Sequence, residues 1–210
     1  MSRSPLPPRK YYLSVDVEST GSSYSNPVVA IGLFFGPQDG DMDEKRPGAY
    51  YNWKKRWALA PLPGQYDEDR CMSEFWSKFP TVMDWIKANA RPANDVMIEF
   101  MKMCNDMVKV VGEGNITLVS DCPDYDIGRI NHLGEVTGTM RNELRYLATN
   151  KRHSLVDPSE RLDQMGADDA CEAWMKKNHP TVKHTHFPDD DAEEAFWQMV
   201  YCKQQAITVK

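Results

Sequence analysis

The feature that most constrains the fold is a nine-residue run near the start, YYLSVDVES at 11–19, in which Leu13, Val15 and Val17 alternate with Ser14, Asp16 and Glu18. An extended chain points successive side chains to opposite faces, so this run reads as a strand with one buried apolar face. The same alternation sets Asp16 and Glu18 on one face, about 6.5–7 Å apart along the strand. Two anions so placed need a cation or open water. An isolated Asp-x-Glu is most often a solvated polar edge. Here Ser19-Thr20-Gly21 follows at once, adding hydroxyls, backbone donors and a turn that glycine permits.

Two more apolar runs follow, 27–36 opened by Pro27 and 51–60 after a Pro/Gly/Asp-rich stretch. Three consecutive strands suggest an antiparallel meander. Residues 72–89 have helical spacing interrupted by Pro80, which predicts two short helices. From Pro92, the spacing of Val96, Phe100, Met103, Met107 and Val111 predicts a helix ending at Gly112. A buried strand at 116–121 precedes a helix at 126–138 with Ile127, Ile130 and Leu133 inward, and further helices are expected at about 167–178 and from Asp189 to about Gln205. Strands followed by alternating helix and strand describe an α/β fold, a mixed β-sheet flanked by α-helices. Residues 1–10 read as a flexible lead-in and 11–210 as a single domain.

The formal net charge of -6 argues against a protein that coats nucleic acid through charge alone. It leaves room for a nuclease whose positive charge arrives as metal ions. Five cysteines, without CxxC pairs, fit reduced thiols in a cytoplasmic compartment. No stretch of about 18 apolar residues occurs, so no membrane span is expected and the protein should be soluble.

At this point the sequence resembles the DEDDh (DnaQ-like) 3′–5′ exonucleases of the ribonuclease-H-like superfamily. Their first motif, D-x-E followed by Thr or Ser and Gly, is matched by DVESTG at 16–21; the second, an aromatic before an Asp where a strand gives way to a helix, by Tyr125-Asp126; the third, H-x-x-x-x-D-A, by His186 through Asp191 and Ala192. Alternatives remain open at two points. His184 with Asp189 has the same spacing as His186 with Asp191, and Asp121 or Asp124 competes with Asp126. His132, His153 and His179 lack such an acid partner and read as structural.

The resemblance implies a ribonuclease-H-like fold and removal of nucleoside 5′-monophosphates from the 3′ ends of single-stranded RNA or DNA. It implies two divalent ions, Mg²⁺ or Mn²⁺, as hard oxygen donors favour. Asp16 would bridge them, with Glu18, Asp126 and Asp191 completing the ligand set. His186 would act as general base, and Thr20 and Gly21 would contact the terminal nucleotide. Freestanding relatives are commonly homodimers. The competing readings are a non-catalytic nucleic-acid-binding domain on the same fold and a ribonuclease-H-like endonuclease. The mixed basic and aromatic run Trp53-Lys54-Lys55-Arg56-Trp57 and the pair Lys151-Arg152 are weaker signals for nucleic acid. For the first, a strand with aromatics packing inward is the simpler expectation.

Overall fold

The computed structural model describes residues 9–42, 53–112, 114–139 and 155–208. The alternating run forms β1 (Tyr11–Ser19), which pairs antiparallel with β2 (Val28–Pro37); β2 pairs antiparallel with β3 (Trp53–Ala58), giving the expected meander. On its other side β1 pairs in parallel with β4 (Ile116–Val119), and β4 with the two-residue β5 (Leu155–Val156). The sheet order β3-β2-β1-β4-β5 is therefore mixed, with β1 at its centre.

Helices cover both faces. Leu13, Val15 and Val17 join Ile31, Leu33, Trp57 and Leu118 in one core against helix α2 (Ala93–Val111) and helix α3 (Pro123–Val136). Tyr12 and Phe34 face the other way, packing with Phe196, Val200, Cys171 and Leu162. That second core is covered by α4 (Pro158–Met165), α5 (Asp168–Asn178) and α6 (Pro188–Thr208). A smaller cluster holds α1 (Pro80–Asn89) and Trp76 against Val29 and Ala58. Among the described residues no helix is long and apolar enough to cross a membrane. None of the five cysteines forms a disulfide.

Several local expectations shift. Pro80 and Pro123 open α1 and α3, because a proline at the first helical position lacks an N–H that would be unpaired there anyway. Helix α3 therefore begins three residues before Asp126 and carries that acid in its first turn. The segment before Pro80 forms a single π turn, Cys71–Phe75, followed by a 3-10 turn, Trp76–Lys78. Helix α2 buries Val96, Met97, Phe100, Met101, Cys104 and Met107, while Met103 and Val111 are only partly buried. A helix lying on a broad sheet buries a face wider than one stripe. Neither β5 nor α4 was expected. At the lead-in, Arg9 pairs with Asp39 at 2.7 Å and Lys10 Nζ donates to Gly114 O at 2.7 Å; residues 1–8 lie outside the described residues.

Candidate active site

Asp16 and Glu18 project from the central strand toward the face covered by α6. Opposite Asp16 in the β1–β2 register stands Gly32. A Cβ at Gly32 would lie 2.0 Å from Pro188 C and 2.2 Å from Asp189 N. Only glycine lets the first turn of α6 rest directly on β2, and that contact brings Asp191 down beside β1. From the other side, β4 hands over to α3, whose first turn delivers Asp126. That carboxylate is buried and accepts a hydrogen bond from Ser120 Oγ at 2.5 Å.

The result is a cluster of acids on one sheet face. Ligand-capable oxygens of Asp16, Glu18 and Asp191 lie within 4.8 Å of one another, and those of Asp16, Asp121 and Asp126 form a second such group that shares Asp16. Asp16 Oδ2 is buried with no hydrogen-bond partner. Among the described residues no Lys or Arg forms an ion pair with Asp16, Glu18, Asp126 or Asp191. The electrostatic consequence follows. Burial, then Asp126, Glu18 and Asp191, hold the Asp16 carboxyl well above the usual aspartate range. Burial also raises Asp126, with Asp121 and Glu18 adding to it against the Ser120 hydrogen bond. Asp191 is pushed up to about 6, first by burial, against the opposing Thr185 N–H and His184. Hard oxygens, an orphaned carboxylate oxygen and unrelieved like charge suit a hard divalent cation.

The histidines come from the loop preceding α6. Asp191 accepts the backbone N–H groups of Thr185 at 2.7 Å and His186 at 3.0 Å, folding that loop back onto its own helix. His186 has φ +61°, the left-handed region, and is the single non-glycine residue to do so among those described. Its Nδ1 stands 3.6 Å from Glu18 Oε1 and 3.9 Å from Asp191 Oδ2. His184 Nδ1 lies 3.4 Å from Glu194 and 3.6 Å from Asp191 on a more exposed side chain, and Glu194 foremost lifts its pKa to about 9. Asp189 points away and pairs with Arg56 at 3.0 Å. The two registers thus separate at the acid: Asp191, not Asp189, meets Asp16 and Glu18, while both histidines flank it. In the second motif Asp121 joins Asp126 and Asp16; the exposed Asp124 is in neither group.

Thr20 is buried, and its Oγ1 has no hydrogen-bond partner. The carbonyl of Gly21 accepts from Arg129 Nη2 at 2.7 Å and from Ser19 Oγ at 2.6 Å. Arg129 is itself buried and also donates to Asn26 O at 3.0 Å, so one guanidinium fixes both ends of the turn after β1. Beside Glu18 opens a pocket of about 330 Å³, lined among others by Ser19, Gly21, Glu68, Arg70, Phe75 and Tyr125.

The basic run of β3 is spent on acids: Lys54 pairs with Asp190 and Glu193, Lys55 with Glu99, and Arg56 with Asp189. Trp57 packs inward. Lys151, Arg152 and His153 lie outside the described residues. His132 packs against Tyr24 with the rings tilted, and His179 stacks on Trp197. Sequence reasoning missed Gly32, Arg129, Phe75 and Phe79. The first two carried no distinctive signal, whereas the Phe75/Phe79 pair at i,i+4 was visible in SEFWSKFP but its partner was not.

In overall shape the chain is similar to E. coli exonuclease I solved with a dT13 oligonucleotide (TM-score 0.65, 8% identity, 96% of this chain and 42% of that one). It is similar as well to cell-death related nuclease 4, CRN-4 (TM-score 0.54, 14% identity, 96% and 65%) and to a full-length 3′-exonuclease (TM-score 0.58, 11% identity, 98% and 64%). The chain spans less than two thirds of each of these proteins. At such identities the likeness shows the fold, a ribonuclease-H-like mixed sheet flanked by helices. No family model matches the sequence, and no curated protein matches it.

Proposed function

We propose that the chain is a DEDDh-type 3′–5′ exonuclease that releases nucleoside 5′-monophosphates from the 3′ ends of single-stranded RNA or DNA, with metal ligands Asp16, Glu18, Asp126 and Asp191 and with His186 as general base. The observation that carries the reading is Asp16 Oδ2, a buried carboxylate oxygen without a partner at the point shared by two groups of acids. Two divalent ions, Mg²⁺ or Mn²⁺, bound there would neutralise the phosphodiester and polarise it toward attack.

The chain's own residues supply the rest. Asp16 belongs to both all-carboxylate groups, one with Glu18 and Asp191 and the other with Asp126 and Asp121, and Asp191 stands also in a third group with His184 and His186. His186 stands at the rim of the cluster, where its imidazole can take the proton of the attacking water. The turn through Gly21, braced by Arg129, forms one wall of the pocket next to Glu18, while Thr20 is buried beneath it, and Phe75 and Tyr125 offer aromatic surface to a nucleoside. A pocket on one side of the acids orients an end rather than a continuous strand. The structural neighbours named exonucleases support this choice over the endonuclease and the binding domain.

The test is digestion of matched 3′-labelled and 5′-labelled single- and double-stranded RNA and DNA in Mg²⁺ or Mn²⁺. Stepwise loss from the 3′ end, stalling on a 3′-phosphate and loss of hydrolysis in Asp16→Ala with the fold intact are expected. Internal cuts, or substantial activity in Asp16→Ala, would overturn it.

A further inference from the structure

The mechanism asks His186 to hold one orientation, yet that residue sits in a loop with a backbone conformation that side chains other than glycine disfavour. Backbone hydrogen bonds to Asp191 fix the main chain but leave the ring free to turn about χ1 and χ2. The ring is held by aromatics. Its centroid lies 4.1 Å from that of Phe79 and 4.9 Å from that of Phe75, both edge-on, with His184 edge-on at 4.5 Å. Phe75 and Phe79 also touch each other, at 5.0 Å.

These two phenylalanines belong to a segment tied to the catalytic strand. Trp76, buried between them in sequence, donates its indole N–H to Ser19 O at 3.0 Å, one residue beyond Glu18. Phe79 N donates to Trp76 O at 3.0 Å, closing the 3-10 turn. The successive π and 3-10 turns from Cys71 to Lys78 bring both rings toward His186. The acid strand and the aromatic brace are therefore one mechanical unit. The two rings differ in one respect: Phe75 lines the pocket beside Glu18, and Phe79 does not.

We infer that Phe75 and Phe79 are positioning residues for His186, and that Phe75, as the wall common to His186 and the pocket, also contacts whatever occupies the pocket. The inference rests on the exonuclease reading of the site. Neither ring touches the reacting atoms; each acts by restricting the imidazole to the rotamer that faces Glu18 and Asp191. Edge-to-face contacts between aromatic rings are directional, so aliphatic bulk alone reproduces them incompletely.

The experiment is steady-state hydrolysis of a 3′-labelled single-stranded oligonucleotide by the full chain in Mn²⁺. Phe79→Ala lowers kcat about 10- to 100-fold with KM within about twofold, the scale expected when a catalytic group is misplaced by about an ångström. Phe79→Tyr, which keeps the ring, restores most of kcat. Phe75→Ala lowers kcat and raises KM together. In a His186→Ala background, Phe79→Ala has no further effect, because the group it positions is gone. Where Phe79→Ala fails to fold, Phe79→Leu replaces it, with a smaller loss that again vanishes in the His186→Ala background. Equal losses in both backgrounds, or an unchanged kcat in Phe79→Ala, overturn the positioning role while leaving the exonuclease reading in place. A parent chain that leaves every 3′ end intact overturns both.

Discussion

Asp16→Asn is expected to stabilise the cation-free protein and to abolish its stabilisation by divalent ions. Asp16 belongs to both groups of ligand atoms, each spanning no more than 4.8 Å, and its Oδ2 has no hydrogen bond to lose. At an effective dielectric near 20, one pair of like charges 4.8 Å apart repels by about 3.5 kcal/mol. Proton uptake relieves part of this, so a net gain of about 1–3 kcal/mol is expected from the neutral amide, or roughly 3–10 °C for a domain of this size. The pH dependence has a definite sign. Asp16, Asp126 and Asp191 are all raised above the ordinary aspartate value of 3.8, so their cost is absent below that pH and grows as pH rises. For Asp191 it is established by about pH 6, and Asp126, pushed up to about 8, and Asp16, held well above the ordinary range, extend it upward. Melting curves of parent and variant, from pH 4 upward, in chelator and in Mg²⁺ or Mn²⁺, read this directly. The parent at a cation concentration about 100-fold over Kd gains about 2.7 kcal/mol, so the order of the two melting temperatures narrows or reverses between conditions. A variant less stable than the parent in chelator, or one that cations stabilise equally, would refute the reasoning.

Two other perturbations probe the scaffold. Gly32→Ala sets a methyl group into the first turn of α6; about 1–3 kcal/mol of stability and about 100-fold in kcat should be lost together, measured by denaturant unfolding and by oligonucleotide hydrolysis. Glu99 accepts hydrogen bonds from Lys55 first and Arg91 second, which lower its pKa to about 2, and its side chain is one-third exposed. Its contribution is full above the ordinary 4.5 and is lost as pH falls toward 2, so Glu99→Gln should cost about 1 kcal/mol at pH 7, after discounting for solvent screening, and nothing near pH 2.

The legible parts of this fold are those where one period runs long enough to be counted. Strand β1, with three apolar residues alternating against polar ones, and α2, with nineteen residues ending at a glycine of positive φ, announce themselves. The two-residue β5 cannot show a period. Helix α4 buries little beyond Pro158 and Leu162, so hydrophobic spacing misses it, although its cap was written plainly: Asp157 accepts the N–H of Glu160, Pro158 follows it and Gly166 closes the helix in the left-handed conformation. At the site, the order of motifs pointed to the acids that the fold brings together. It offered Asp121 and His184 only as rivals of Asp126 and His186, whereas packing brings each rival in beside its counterpart. Gly32 shows the limit most clearly: its importance lies in an approach between residues more than 150 positions apart, which no local pattern encodes.

The contact of α6 on Gly32 also fixes when the site can exist. Asp16, Glu18 and Asp126 all precede Asp191 in the chain, so the cluster lacks a member until the first turn of α6 has docked on β2. The set of acids is completed in one step, by the seating of a single helix.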